Sequence, residues 1–167
     1  MDDVVRGSGE VTPRVDSAAR LVRADAATVF AAMVDPGALV RWLPPRGMTG
    51  RFEHVDIRTG GSYRLVLTYR GGVDASRAKT TADSDVAEAR IVEVRPDERI
   101  VQEVDFDSED ERFRGTMTMT WALRPARGGT RVEIRAESVP VGISAEEHAA
   151  GMTDSLENLA RLVESGS

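Results

Sequence analysis

Two histidines, His54 and His148, have the side chains best suited to proton transfer near neutral pH. His148 precedes Met152 by four residues in a helical pattern, so it lies beside the apolar stripe of that helix. It could be a polar group at the mouth of a pocket, a general base, or a histidine at the solvent edge, and the sequence identifies no partner to orient it as a base. His54 precedes Val55 in a predicted strand, and it faces outward if Val55 faces inward.

The sequence provides little evidence for a metal site or an activated nucleophile. Two separate histidines without close spacing are weak evidence for a metal, and zero cysteines exclude disulfides, thiolate chemistry and cysteine-based zinc sites. No nucleophile elbow of the form GxSxG is present, and Gly60-Gly61 and Gly128-Gly129 are typical of hairpin turns, not of phosphate-binding loops. We therefore predict no metal and no cofactor, and we favour a non-catalytic protein over an enzyme.

Aromatic, thioether and branched apolar side chains form a second group of candidates, on predicted strands and helices. Methionine adapts its shape and pockets are largely apolar, so this group suits a site for varied apolar or aromatic molecules. The same pattern is typical of a filled hydrophobic core, and the residues alone favour the core. Together with His148 at the pocket mouth, the predicted ligand-binding residues are Trp42, Tyr63, Leu65, Leu67, Met117, Met119, Trp121, His148, Met152 and Leu156.

Arginine and glycine provide two further candidates. A buried Arg58 or Arg114 could bind an anionic ligand through two hydrogen bonds, although a surface pair such as Arg58 with Asp56 is the commoner arrangement. Gly151 lies inside a predicted helix, where glycine costs about 1 kcal/mol relative to alanine. It either lets a ligand or the sheet backbone approach the helix, or it reflects close helix–sheet packing without a ligand.

The helix that positions His148, Gly151 and Met152 is predicted to extend from Ser144 to Ser165. Ser144 followed by Glu147 fits a capping box, which satisfies free amide donors at a helix start. The predicted apolar stripe comprises Ala145, Ala149, Met152, Leu156, Leu159 and Val163. The residues predicted to face water are Glu146, Asp154, Glu157, Asn158 and Arg161, with Glu157 and Arg161 in favourable ion-pair spacing. Such a helix must lie against an apolar surface.

The remaining elements supply that surface, because most of them alternate as strands do. Asp25 is predicted to cap a helix over Ala26–Val34, and Asp35-Pro36 begins a short helix that Pro44-Pro45 ends. The predicted strands are 17–23, 51–58, 62–70, 86–94, 99–106, 113–124 and 131–137, with a loop over 71–85. Short connections favour antiparallel neighbours. We therefore predict an α+β fold in which a curved antiparallel sheet of about seven strands wraps the long C-terminal helix.

Length and charge limit the classes of function. The chain of 167 residues is most simply a flexible segment over 1–16 followed by one domain over 17–167. A net charge of −6 argues against nucleic-acid binding, because phosphates would be repelled. The sequence contains no apolar run of the roughly 18 residues that a membrane span needs, and its N-terminus does not resemble a secretory signal. We predict a cytoplasmic protein without nucleic-acid or membrane partners.

An ordered set of short motifs resembles one known family. The motifs are Asp35-Pro36 with Trp42 and Pro44, Asp56-x-Arg58-x-Gly60-Gly61-x-Tyr63-Arg64, Val92-Glu93-Val94-x-Pro96-x-Glu98-Arg99-Ile100, Thr116-x-Thr118, Gly128-Gly129-Thr130, and Gly151-Met152 to Leu156 with Asn158-Leu159. Together they resemble the START-like, or SRPBCC, superfamily, in the branch similar to the activator of the ninety-kilodalton heat-shock protein ATPase. The resemblance implies a helix-grip fold with a deep pocket between the sheet and the helix.

The resemblance leaves three functions open. The first is non-catalytic binding of a small hydrophobic or aromatic molecule in the pocket, which we favour. The second is an enzyme similar to polyketide cyclases and aromatases, in which His148, Tyr63 or an inward arginine would move protons. The third is a module that interacts with a chaperone, as the named branch implies. A homodimer is a further expectation for a small domain of this kind, but no residue fixes its interface.

Overall fold

The computed structural model describes residues 13–69 and 84–164, and within them seven antiparallel strands form one curled sheet against a long C-terminal helix. In chain order the elements are β1 (Val15–Val22), α1 (Ala26–Val34), α2 (Pro36–Trp42), β2 (Met48–Val55), β3 (Ser62–Tyr69), β4 (Ser84–Arg95), β5 (Arg99–Phe106), β6 (Met117–Ala126), β7 (Gly129–Glu137) and α3 (Ala145–Glu164). The strand order is β1-β7-β6-β5-β4-β3-β2. Each strand from β2 to β6 therefore lies beside the strand that follows it in the chain, and β1 pairs with β7. The predicted α+β helix-grip fold is confirmed.

The two short helices begin where the sequence predicts. The carboxylate of Asp25 accepts a hydrogen bond from the backbone N–H of Thr28 at 2.8 Å, and that of Asp35 accepts one from Ala38 at 3.2 Å. Each aspartate therefore satisfies an amide donor that has no partner within its own helix. Pro36 occupies the first turn of α2, where a missing N–H costs nothing.

The end of α2 is held by side chains of α3. Pro44-Pro45 cannot extend the helix, so the carbonyls before it need other donors. Ser155 Oγ donates to the carbonyl of Leu43 at 2.6 Å, and Asn158 Nδ2 donates to the carbonyls of Trp42 at 3.3 Å and Pro44 at 3.0 Å. The prediction that Asn158 faces water is therefore wrong, since its amide joins the two helices.

The inner face of the sheet and α3 follow the predicted alternation in most positions. Buried inward residues include Tyr63 and Leu65 on β3, Ile100 to Val104 at alternate positions on β5, and Val132, Ile134 and Ala136 on β7. On α3, the buried stripe comprises Met152, Leu156, Leu159 and Val163, with Ser155 and Ala160 beside it. Ala145 was predicted in the stripe but is exposed, because the first turn of α3 lies at the surface. Glu157 lies 3.3 Å from Arg46 instead of pairing with Arg161.

Several boundaries differ from prediction for local reasons. Residues Glu111–Phe113 form a 3-10 helix, because the Asp110 carboxylate caps the N–H of Arg112 at 3.0 Å, so β6 begins at Met117 and not at Phe113. Strand β1 includes Val15 and Asp16, which were predicted to be flexible. The predicted loop over 71–85 lies outside the described residues except for Ser84 and Asp85, which belong to β4. None of the helices described is long and apolar enough to cross a membrane.

Candidate ligand-binding site

A cavity of about 600 Å³ lies between the inner face of the sheet and the N-terminal half of α3. Its volume falls within the range of about 300–1,000 Å³ that is usual for small-molecule sites. Residues of β2 to β7 line it on the sheet side, and residues of α3 between Glu147 and Ser155 line it on the helix side. The C-terminal half of α3 packs into the core through Leu159 and Val163 instead. The C-terminal half of α3 therefore belongs to a filled core, whereas its N-terminal half borders the cavity.

Eight of the ten residues predicted to bind a ligand line this cavity. They are Tyr63, Leu65, Leu67, Met117, Met119, Trp121, His148 and Met152. The other two, Trp42 and Leu156, are not among the lining residues and lie in the core, with exposed fractions of 0% and 1%. Trp42 packs edge-on against Trp121 with ring centroids 5.2 Å apart, so it supports a lining residue from behind. Whether the eight residues contact a ligand stays a prediction.

The mouth of the cavity contains residues that the sequence did not single out. Exposed Arg46 and Arg112 line it, from the loop after α2 and from the 3-10 helix. Each lies near a carboxylate, Arg46 at 3.3 Å from Glu157 and Arg112 at 2.7 Å from Asp110. Both arginines lie outside regular strands and long helices, so no periodic pattern could have revealed them.

The arginines that the sequence did single out do not line the cavity. Arg58 is exposed and forms an ion pair with Asp56 at 2.7 Å, which is the surface alternative considered for it. Arg114 is exposed and lies 3.8 Å from Glu111. His54 is exposed as predicted, with Nε2 at 3.2 Å from Ser62 Oγ. Among the described residues, no group of three or more potential ligands is arranged to hold a metal ion.

His148 has the partner that the sequence could not identify. Its Nδ1 lies 2.8 Å from Asp16 Oδ2, and the two side chains are only 14% and 7% exposed. Asp16 is in turn held by Arg14, whose Nε and terminal nitrogen donate at 3.2 Å and 2.8 Å. Of the three alternatives considered for His148, a histidine at the solvent edge does not fit, because β1 brings Asp16 against the first turns of α3. A separation of 132 residues along the chain hides this pair from any local pattern.

The charge of Asp16 is stabilised by these contacts. Burial acts to raise the pKa of Asp16, but the hydrogen bonds and charges of Arg14 and His148 outweigh it, so the pKa lies below the ordinary value of 3.8. The carboxylate therefore remains ionised at neutral pH. It orients the His148 imidazole beside the cavity and joins β1 to α3.

We expect Asp16→Asn to lower the free energy of unfolding at neutral pH by about 1–3 kcal/mol, because Arg14 and His148 lose a charged acceptor. A carboxyl group whose pKa is lowered by folding contributes stability above its unfolded value of 3.8, and that stability disappears as pH falls through the folded value. The unfolding free energy of the wild type is expected to fall more steeply below about pH 4 than that of the variant. Urea denaturation at several pH values measures both slopes.

Asp56→Asn is the control for this prediction, since it removes a carboxylate from the exposed pair with Arg58. Exposed pairs contribute about 0–1 kcal/mol, so its stability at neutral pH is expected to stay close to that of the wild type. If the unfolding free energies of the wild type and Asp16→Asn fell equally steeply at acid pH, Asp16 would not be the source of this stabilisation.

Gly151 lines the cavity, so the approach of a ligand to it stays a prediction, but close helix–sheet packing does not explain a glycine there. A Cβ atom at this position would meet Pro45 at 3.9 Å and 4.0 Å, which is ordinary van der Waals contact and not a clash. Neither the sheet backbone nor another element therefore requires glycine.

We expect Gly151→Ala to raise the free energy of unfolding by about 0.5–1 kcal/mol, because alanine favours the helix and finds space beside Pro45. Thermal unfolding followed by circular dichroism checks this. A lower melting temperature than that of the wild type would show that the position has a steric constraint that the structure does not contain.

Buried polar groups lie beside the apolar lining. The Tyr63 hydroxyl donates to Gln102 Oε1 at 2.6 Å, and Gln102 is completely buried. Burial raises the pKa of Tyr63, so its hydroxyl stays protonated at neutral pH and acts as a donor. Within residues 13–69 and 84–164, Gln102 Nε2 and Trp121 Nε1 have no hydrogen-bond partner. Gln102 was not among the residues predicted for the site.

Comparison with known proteins identifies a family and several solved structures that this chain resembles. A family model described as "Activator of Hsp90 ATPase homolog 1-like protein" matches residues 23–164. Protein CV1439 from Chromobacterium violaceum is 30% identical, with 90% of this chain and 96% of that chain covered and a TM-score of 0.79. Protein Ms6760 from Mycobacterium smegmatis is 16% identical, with 92% of each chain covered and a TM-score of 0.71. The curated proteins contain no match.

A further structural neighbour comes from a biosynthetic locus. DynU16, a putative protein in the dynemicin biosynthetic locus, is 20% identical, with 92% of this chain and 48% of that chain covered and a TM-score of 0.65. At 20% identity, and at 16% for the mycobacterial protein, the similarity shows a shared fold.

Proposed function

This chain belongs to the family of proteins similar to homolog 1 of the activator of the Hsp90 ATPase, and from that membership we propose that it binds a small apolar or aromatic molecule without catalysing a reaction. The proposed site is the cavity between the sheet and α3.

The cavity itself is the observation that supports the proposal. An amphipathic helix on a sheet normally closes into a solid core, and the C-terminal half of α3 does so. Beside its N-terminal half, the described residues leave about 600 Å³ unfilled, although most of the side chains around this space are apolar. An apolar ligand in this space would remove its own surface and that of the lining from water, which contributes about 25 cal/mol per Å² before the costs of association.

The side chains that line the cavity can accommodate ligands of different shapes. Four methionines line the cavity: Met48 of β2, Met117 and Met119 of β6, and Met152 of α3. Their unbranched, polarisable side chains adjust to irregular surfaces and make favourable contacts with aromatic rings. Tyr63 and Trp121 add aromatic faces on which a flat ring can pack.

The proposal is tested with N-phenyl-1-naphthylamine, an uncharged aromatic dye that fluoresces strongly in apolar sites. We expect saturable binding of one dye per chain and a rise in melting temperature, because a ligand that binds the folded state stabilises it by about 2.7 kcal/mol at one hundred times its dissociation constant. No saturable signal and no thermal shift with this dye or with polycyclic aromatic ligands would overturn the proposal.

The Asp16–His148 pair favours a second candidate function, an enzyme that moves a proton on the bound molecule. If Nδ1 donates to Asp16, the neutral imidazole has Nε2 as its basic nitrogen. Because His148 lines the cavity, such a base would lie beside a bound substrate. This arrangement is the one that the cyclase-like alternative requires. Interaction with a chaperone stays a prediction, and the cavity provides no evidence for it.

This second candidate is tested by deuterium exchange at the carbon between the ring and the carbonyl of 2-tetralone, followed by proton NMR in D₂O. The imidazole takes the carbon-bound proton, the electron pair moves to the carbonyl oxygen as an enolate, and a deuteron returns to carbon. We expect exchange above the buffer rate with the wild type and loss of that excess with His148→Gln. Exchange at the buffer rate with the wild type would contradict proton transfer by this pair.

A further inference from the structure

We propose that the exposed surface around the turn between β6 and β7 binds an acidic segment of a partner protein. The residues of this basic surface are Leu21, Arg23, Arg124, Arg127 and Arg131, and all five are exposed. They are not among the residues that line the cavity. The backbone N–H of Arg23 donates to Glu164 at 2.8 Å, so the surface lies near the C-terminal end of α3, whereas the cavity borders the N-terminal half.

The sheet register brings two of the arginines together. Arg124 of β6 lies directly opposite Arg131 of β7. The neighbouring pair, Leu123 with Val132, is buried on the inner face, so both arginines project from the outer face. Directly opposed residues have Cβ atoms about 4.5–5.5 Å apart, and like charges so placed destabilise a sheet. A carboxylate that binds both guanidinium groups would remove this repulsion.

The turn brings the end of β1 against the same surface. Arg127 and Gly128 connect β6 to β7. A Cβ atom on Gly128 would lie 3.8 Å from Leu21 Cδ2, and one on Gly129 would lie 3.1 Å from Arg23 Cα. An apolar side chain that is 44% exposed therefore lies beside the arginines. Arginine is enriched in protein interfaces and binds a carboxylate through two parallel hydrogen bonds.

The four arginines differ from those elsewhere on the sheet because they have no carboxylate partner. Within residues 13–69 and 84–164, no carboxylate oxygen lies within 4.0 Å of their side-chain nitrogens. By contrast, Arg64, Arg90 and Arg99 on the outer face of β3 to β5 each have a carboxylate oxygen within that distance. The positive charge of the outer face is therefore balanced on β3 to β5 and unbalanced around the turn between β6 and β7.

Three carboxylates lie near the basic surface without pairing with it. Those of Asp25 and Glu164 accept backbone N–H groups at 2.8 Å. Glu133 lies two residues from Arg131 on the same face of β7, but the two side chains are more than 4.0 Å apart. The guanidinium groups are therefore available to carboxylates of another chain.

The charge of the whole chain favours a short acidic segment over a membrane or a nucleic acid. Because the net charge is −6, an extended polyanion would be repelled by the acidic remainder of the protein. A segment of a few residues can stay within about 8 Å of the arginines, which is the screening length at physiological salt. It therefore experiences mainly the local positive charge, and an apolar residue within it can pack on Leu21.

The experiment measures binding of a fluorescein-labelled peptide, in which one leucine is flanked on each side by glutamates, by fluorescence anisotropy with the full chain. The comparison peptide has glutamine in place of every glutamate. We expect the wild type to bind the glutamate peptide at least about tenfold more tightly, which corresponds to about 1.4 kcal/mol. The preference should weaken as salt rises from about 0.1 M to about 1 M, because the screening length falls from about 10 Å to about 3 Å.

Arg124→Gln combined with Arg131→Gln should remove most of this preference. Both side chains are exposed, so we expect the double variant to fold as the wild type does, which far-ultraviolet circular dichroism checks. The matched control combines Arg58→Gln with Arg114→Gln, which removes the same charge from arginines that are 69% and 74% exposed outside the basic surface. The preference should persist in this control.

Equal affinities of the wild type for the two peptides would overturn the inference. An equal loss in the two double variants would do the same, because net charge alone would then explain binding. Vesicles that contain phosphatidylserine and double-stranded DNA are tested in parallel. If either bound more tightly than the glutamate peptide and lost that binding with Arg124→Gln and Arg131→Gln, the partner would be a lipid surface or a nucleic acid and not a protein segment. The dye experiment tests the cavity separately, so failure of one proposal leaves the other standing.

Discussion

Trp42→Ala is expected to lower the free energy of unfolding by about 3–5 kcal/mol, the range for removal of a buried aromatic side chain. Trp42 is completely buried, and its ring packs at an interplanar angle of 67° against Trp121. Truncation would remove this contact and open a space next to the cavity. Helix α2 contacts α1, α3 and β2, and the Trp42 ring also contacts β6 through Trp121, so the surroundings cannot close around the space without moving the helices.

A polar contact adds to this cost. Trp42 Nε1 donates to the carbonyl of Ala32 at 2.9 Å, and Ala32 lies in the last turn of α1, where carbonyls lack donors within the helix. Trp42→Phe keeps an aromatic ring but leaves that carbonyl without its donor. We expect an intermediate loss of about 1–3 kcal/mol, since a buried unpaired acceptor costs that much.

Urea denaturation followed by far-ultraviolet circular dichroism measures both losses. Val141→Ala is the control, because Val141 is 82% exposed and such substitutions usually change stability by less than about 0.5 kcal/mol. A loss below about 1 kcal/mol for Trp42→Ala would show that the indole does not support the core in the way the structure indicates.

Local chemistry was enough to predict the elements and their inner faces. Asp25 and Asp35 cap helices at the predicted places, and alternation along Met117 to Leu123 placed Trp121 correctly. These features depend on residues within one turn or one strand. Hydrogen bonds between neighbours and the period of side chains determine them, so a single sequence contains the necessary information.

Contacts between distant segments could not be predicted in the same way. Trp42 and Trp121 are the same residue type in similarly apolar surroundings, yet only Trp121 lines the cavity. The difference arises from how α2 docks against α3 through Ser155 and Asn158, which no local pattern shows. The Asp16 partner of His148 was hidden for the same reason. The strand residues that line the cavity were thus predictable, whereas the polar contacts between distant segments were not.

The second prediction concerns the cavity: Ala87→Phe is expected to weaken binding of N-phenyl-1-naphthylamine by at least about tenfold, or about 1.4 kcal/mol. Ala87 lines the cavity from β4, between Leu65 of β3 and Phe106 of β5. A phenyl ring there would occupy space that a ligand needs. Because the ring enters a hollow and displaces no side chain, the free energy of unfolding should stay the same or rise.

Ala122→Phe makes the same chemical change on the opposite face of the sheet. Ala122 lies between inward-facing Trp121 and Leu123 on β6, so its side chain points away from the cavity. Fluorescence titration should give wild-type affinity for this variant, because the added ring cannot reach the ligand. If Ala87→Phe remained folded and bound the dye as tightly as the wild type, the dye would occupy another surface. A loss confined to Ala87→Phe would instead locate binding inside the cavity, since the two variants add the same ring to the same sheet.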